Sequence, residues 1–178
     1  GFFYVSMDYI SYYLVFDYYD PMEYYSVVLS NEELFDKEIS KLWANMQSFL
    51  DEEKVYVNNV RVRPKVSMID IGFRSGKKRP YIVFLIRFKV PIKIGVNEYY
   101  NEYEPEVPEY NYVAYWVFPP GSKILNVDLG GGEEWSIVSN NILAIYGKKG
   151  VKTGGYERIV FEIGKSVGEG VEENEEEG

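Results

Sequence analysis

Apolar residues in this chain alternate with period two almost everywhere, and they switch to helical spacing only once. That pattern constrains the fold more than any other feature. In the first 19 residues Ile10, Tyr12, Leu14, Phe16 and Tyr18 share one face, and Tyr9, Ser11, Tyr13, Val15 and Asp17 the other. This predicts one long strand or two short ones, closed by Asp20-Pro21. Residues 24–29 read as a further strand. Residues 55–57 and 60–62 read as a hairpin, since Asn58 and Asn59 tolerate the positive φ of a tight turn. Residues 66–73 and 81–90 form a second hairpin around the basic tip 74–79. Residues 110–118, 124–129, 135–138, 142–146 and 158–163 complete the set, separated by Gly, Pro or Asn.

The one change of period falls after Ser30. Ser30 and Glu33 have the spacing of a capping box. Phe35, Ile39, Leu42, Trp43, Met46, Phe49 and Leu50 then recur at three- and four-residue steps, opposite Glu33, Lys37, Lys41 and Ser48. Glu32, Glu33 and Asp36 lie where the helix dipole favours acids. One amphipathic helix near residues 31–51 is expected, packed on a sheet.

Many short strands, one helix and no βαβ alternation define an α+β chain that is mostly antiparallel β and sandwich-like. No repeat or second core is visible, so residues 1–163 read as a single β-rich domain. Residues 164–178 carry six Glu against one Lys with four Gly, and read as a flexible acidic tail.

The composition removes whole classes of chemistry. The chain has no Cys and no His, so a cysteine nucleophile, a disulfide, a Ser-His-Asp triad and a histidine-ligated metal are all excluded. Carboxylates, Lys, Tyr, Ser, backbone groups and oxygen-ligated metals remain. The net charge of −9 argues against a nucleic-acid partner. The tail accounts for −5 of it, leaving −4 on residues 1–163. The most apolar run, residues 81–86, is six residues long and far too short to span a membrane. Absent Cys and His, a single Gln and abundant Glu lean toward a thermophile.

The densest polar feature is residues 97–112, with Glu98, Glu102, Glu104, Glu106 and Glu109 among tyrosines and two prolines. The prolines favour an extended edge or loop. Three chemistries suit it. Glu102, Glu104 and Glu106 fall on one face of an extended chain about 6.8 Å apart, near the spacing of an inverting glycosidase pair. Glu102, Glu104, Glu106 and Asp128 supply oxygens of the kind calcium takes, with Glu133 and Glu134 beside the glycines at 130–132. Tyr99, Tyr100, Tyr103, Tyr115 and Trp116 offer aromatic surface for a sugar or a protein partner.

Consecutive tyrosines at 12–13, 18–19, 24–25 and 99–100 place one ring on each face of a strand. The aromatic first strand could complete a neighbour's sheet. Gly147 to Gly155 is not a phosphate loop, because Val151 precedes Lys152-Thr153 and no helix follows. Asp70 reads as a paired or outward acid.

No motif in the chain identifies a function. The expectation from residue chemistry is a non-catalytic interaction or assembly module of a thermophile, extracytoplasmic or at the cell surface. Its partner would be another protein or a second copy. The alternatives are a carbohydrate-binding module supported by calcium, and a carboxylate-based glycoside hydrolase using two of Glu102, Glu104, Glu106 and Glu109.

Overall fold

A computed structural model describes residues 1–164 of the chain. The strands are β1 (Phe2–Val5), β2 (Tyr9–Asp17), β3 (Lys54–Val57), β4 (Val60–Val62), β5 (Lys65–Phe73), β6 (Pro80–Lys89), β7 (Gly95–Glu102), β8 (Tyr112–Val117), β9 (Lys123–Asp128), β10 (Glu134–Ser139), β11 (Ile142–Gly147) and β12 (Tyr156–Ile163). Two helices, α1 (Tyr24–Val28) and α2 (Glu32–Glu52), lie between β2 and β3. The strands form a seven-stranded sheet, β10-β11-β8-β1-β2-β6-β5, and a five-stranded sheet, β4-β3-β7-β12-β9. Every pairing is antiparallel except β1 with β8. The fold is a mostly antiparallel α+β sandwich, as the alternation requires.

Alternation also decides which side chains enter the core. On β6, Ile82, Phe84, Ile86 and Phe88 are buried; on β12, Ile159, Phe161 and Ile163 are buried. These inward rows meet as one apolar cluster that includes residues of both sheets. Trp116 of β8 sits near its centre, stacked on Phe3 and Phe118 and tilted against Tyr99. Burying such rings is the main favourable term holding the sheets together.

The first 19 residues form two strands rather than one, and β1 is paired on both sides within its own chain, with β2 and with β8. The Asn58-Asn59 turn has the expected positive φ at both residues, 51° and 63°. Asn58 does more than turn. Its amide donates to Pro91 O and Asn97 Oδ1, and its Oδ1 accepts from Glu98 N.

Residues 24–29 are not a strand. Tyr24–Val28 is a short helix, entered through Glu23 at φ 55°. The Tyr25 amide donates to Asp20, and the hydroxyls of Tyr24 and Tyr25 both donate to the buried carboxylate of Glu38 on α2. Tertiary hydrogen bonds override the strand preference of Tyr and Val. Helix α2 is capped one residue later than expected: Asn31, not Ser30, accepts from Leu34 N. Phe35, Ile39, Leu42 and Met46 pack on the core. Trp43 and Phe49 of the predicted apolar face remain exposed.

The 97–112 segment divides. Its first half is β7, an interior strand between β3 and β12, and only its second half is a loop. The prolines fall beyond the strand, so they do not bar β7 from the ladder. No helix among the described residues is long and apolar enough to cross a membrane. Except for Gly164, the predicted acidic tail lies outside the described residues.

Candidate functional site

Strand geometry brings three glutamates to one cavity. Glu157, the second residue of β12, lies on the inward row of Ile159, Phe161 and Ile163. Asn101 sits on the inward row of β7 with Asn97 and Tyr99. Glu53 caps the C-terminus of α2, where an acid opposes the helix dipole. Glu133 follows three glycines that all have positive φ, Gly130 to Gly132. Glu53, Glu133, Glu157 and Asn101 line one cavity of about 340 Å³. Its other wall is apolar and comes from the seven-stranded sheet: Phe3, Leu14, Phe16, Ala114 and Ile145. Tyr103, Tyr110 and Tyr112 also line it, as does Gly1 with its amino group.

Each acid has its own partners. Trp116 Nε1 donates to Glu157 Oε1 at 2.9 Å. Asn101 Nδ2 donates to Glu53 Oε2 at 3.0 Å. Glu133 accepts from the hydroxyls of Tyr103 and Tyr112 on Oε1 and from Gly154 N on Oε2. Asn101 is 7% exposed, and its Oδ1 has no hydrogen-bond partner. An unmet buried acceptor is costly, so it marks a place where structure has been set by something besides stability.

Burial pushes Glu157 up to about 8, against the pull of the Trp116 hydrogen bond, and the charges of Glu53 and Glu133 add to the rise. At neutral pH Glu157 is therefore mostly protonated, and its carboxyl group can donate as well as accept. Burial also raises Glu53, against the Asn101 hydrogen bond and with a contribution from Glu106. Tyr12 and Tyr99, fully buried nearby, are held neutral by desolvation. The phenols of Tyr103 and Tyr112 are raised by burial first and by the adjacent Glu133 second.

A backbone device holds Tyr112 over this site. Gly147 of β11 lies opposite Tyr112 of β8, and a Cβ at Gly147 would collide with the Tyr112 ring. Gly154, whose amide donates to Glu133, has no room for a Cβ either, because Leu129 O occupies that space.

The residues singled out in the sequence scatter. Of the five aromatics, Tyr99 and Trp116 are buried core, and Tyr103 lines the cavity. Tyr100 lies on the outer face of its sheet with Tyr56 and Tyr156, and Tyr115 stacks on Phe2 outside the other sheet. Glu102, Glu104, Glu106 and Asp128 are not brought together as calcium ligands. Glu102 pairs with Lys54, Asp128 accepts from Gly130 N and the Tyr156 hydroxyl, and Glu104 and Glu106 are exposed on the loop. Among the described residues no three acids converge closely enough to hold a metal ion. Glu104, Glu106 and Glu109 are exposed, and the apolar surroundings that a proton-donating carboxyl needs are found at Glu157 instead.

Sequence reasoning passed over Glu53, Glu157 and Asn101. Glu157 had a signal: continuing the Ile159, Phe161, Ile163 row back by two residues lands on it. Asn101 lies two residues beyond Tyr99 on the same face of β7. No family model, curated protein or solved structure gives a significant match to the chain.

Proposed function

We propose that this protein is a non-catalytic binding module whose ligand is a small molecule held between the two sheets. The observation that carries this reading is the cavity of about 340 Å³ with an apolar wall facing Glu53, Glu133, Glu157 and the unpaired Asn101 Oδ1. Small-molecule sites are concave, largely apolar and supplied with a few convergent polar groups. A group with a strongly shifted pKa in such a hollow adds to the case.

The test is a fragment screen by two-dimensional NMR on the wild-type chain and on Ala114→Phe, which places a ring in the cavity from β8. Shifts clustered on Leu14, Tyr103, Tyr112 and Glu157, and lost in Ala114→Phe, support the reading. Shifts confined to the outer tyrosines, or none at all, refute it.

One observation favours a second reading. A carboxyl protonated to about pH 8 beside a second carboxylate, Glu133, is the arrangement a glycoside hydrolase uses for its acid and its base or nucleophile. The pair would then be Glu157 with Glu133 rather than any two of Glu102, Glu104, Glu106 and Glu109. Turnover of an aryl glycoside panel that disappears in Glu157→Gln would replace the binding reading with this one.

A further inference from the structure

The open polar atoms of the cavity are mainly carboxyl and amide oxygens. Trp116 occupies one oxygen of Glu157, and Asn101 occupies one oxygen of Glu53. The second oxygen of each accepts no hydrogen bond from the described residues, and Asn101 Oδ1 is buried without a partner. Most of the side-chain donors around the cavity are already engaged. Tyr103 and Tyr112 donate to Glu133, Trp116 to Glu157, and the Gly1 amino group to Val113 O. Tyr110 stands at the exposed rim. No lysine or arginine lines the cavity. With Glu157 ionised it presents three acceptors, two of them carboxyl oxygens, against a wall of Phe3, Leu14, Phe16 and Ile145.

From this juxtaposition we infer that the ligand is a primary organic ammonium: an –NH3⁺ head against Glu53, Glu157 and Asn101, and a short apolar body against the opposite sheet. The inference rests on the binding reading above and names its ligand class. An ammonium supplies three donors and no acceptor, which matches the unmet inventory. A neutral sugar brings acceptors that find few free donors here. An anion is repelled by Glu53 and Glu133. A quaternary ammonium has charge but no N–H to offer.

Binding then moves a proton. No lysine or arginine side chain offsets the acids of the free cavity, and Glu157 keeps its proton to about pH 8. When the ammonium arrives, the Glu157 proton leaves to solvent and the carboxylate pairs with the cation. The groups facing Glu157 that also titrate are Glu53, Glu133, Tyr12, Tyr99, Tyr103 and Tyr112, with the Gly1 amino group on the same cavity wall. Burial raises all four phenols above their ordinary range, so they stay neutral through this window.

Isothermal titration calorimetry with 2-phenylethylamine tests this, using its neutral isostere 2-phenylethanol and its N-trimethyl analogue as controls. Runs at pH 6 and pH 8, each in two buffers of different ionisation enthalpy, count the protons. The expected result is amine binding that tightens by about tenfold or more from pH 6 to pH 8. About one proton should be released per amine at pH 7, and both controls should bind weakly. Glu157→Gln should abolish the pH dependence and the proton release. Glu53→Gln should weaken the amine without removing the release, and it serves if Glu157→Gln does not fold. Equal binding of the alcohol and the amine, with no proton released, overturns the ammonium inference while the binding reading stands. If none of the three probes binds and the fragment screen also finds no cavity ligand, both fall.

Discussion

Trp116 on β8 donates through its indole N–H to Glu157 on β12, at 2.9 Å, so the two sheets are joined by a hydrogen bond across their interface. The indole is 1% exposed and packed on Phe3, Tyr99 and Phe118. That bond is the one influence pulling Glu157 toward the ordinary carboxylate range. Trp116→Phe keeps a ring in the stack and deletes the donor. It should cost about 2–4 kcal/mol, from the smaller ring and the lost hydrogen bond. It should also raise Glu157 further. Urea denaturation and a carbon-13 carboxyl titration check both; a Glu157 that titrates at lower pH in the variant contradicts the argument.

Glu157 should make stability fall with rising pH. Its folded pKa, about 8, lies above the ordinary value near 4.5, so the folded state binds a proton that the unfolded state has released. This contribution is fully present below about pH 4.5 and is lost as pH rises through 8. Glu53, raised by the same cause, acts in the same direction. Glu157→Gln keeps an acceptor for Trp116 and cannot titrate. Relative to wild type it should flatten the stability profile between pH 5 and 9 and be more stable at pH 9 by about 2 kcal/mol. Thermal melts across that range decide it; parallel wild-type and variant curves would remove Glu157 as the source.

The two turn asparagines should respond differently to glycine. Both have positive φ, so neither substitution strains the backbone. Asn58 also makes three side-chain hydrogen bonds, two of them donated and one accepted, and one reaches the buried Asn97. Asn58→Gly should cost about 2–3 kcal/mol. Asn59→Gly should stay within about 0.5 kcal/mol of wild type. Equal costs in chemical denaturation would mean that the turn's conformation, and not the Asn58 network, sets its stability.

Glu38 ties α1 to α2. The residue is 6% exposed, its carboxylate accepts from the hydroxyls of Tyr24 and Tyr25, and burial with the Glu38 charge holds Tyr25 well above the usual phenol range. Glu38→Ala leaves both hydroxyls without their acceptor and should cost about 1–3 kcal/mol. Amide exchange should rise most over residues 24–28, because the strand-forming residues there are helical only through these contacts. Exchange rising first in the sheets instead would place the role of Glu38 elsewhere.

Much of the strand pattern was legible because alternation is local. The inward row of β6 and the hairpin at Asn58-Asn59 can be read from neighbours two residues apart. Residues 24–29 were misread for the complementary reason. Their local preference is for strand, and the deciding partners, Asp20 and Glu38, act through hydrogen bonds that no propensity registers. The acidic segment misled in a similar way. Glu102, Glu104 and Glu106 are conspicuous in sequence and end up paired or solvated, because a crowd of adjacent acids cannot all be buried at once.

What the sequence determined alone was the class of fold and the chemistry it lacks: period two sets a sandwich, and the missing Cys and His remove their reactions. What only the tertiary structure decided was the site. Glu53, Asn101, Glu133 and Glu157 come from a helix end, two strands and a glycine turn, up to 104 positions apart, which is 157 minus 53. Their proximity depends on which strands pair and in what register. The raised Glu157 depends on how deeply that packing excludes water. Neither quantity is a property of any short stretch of chain, so no local pattern could carry it.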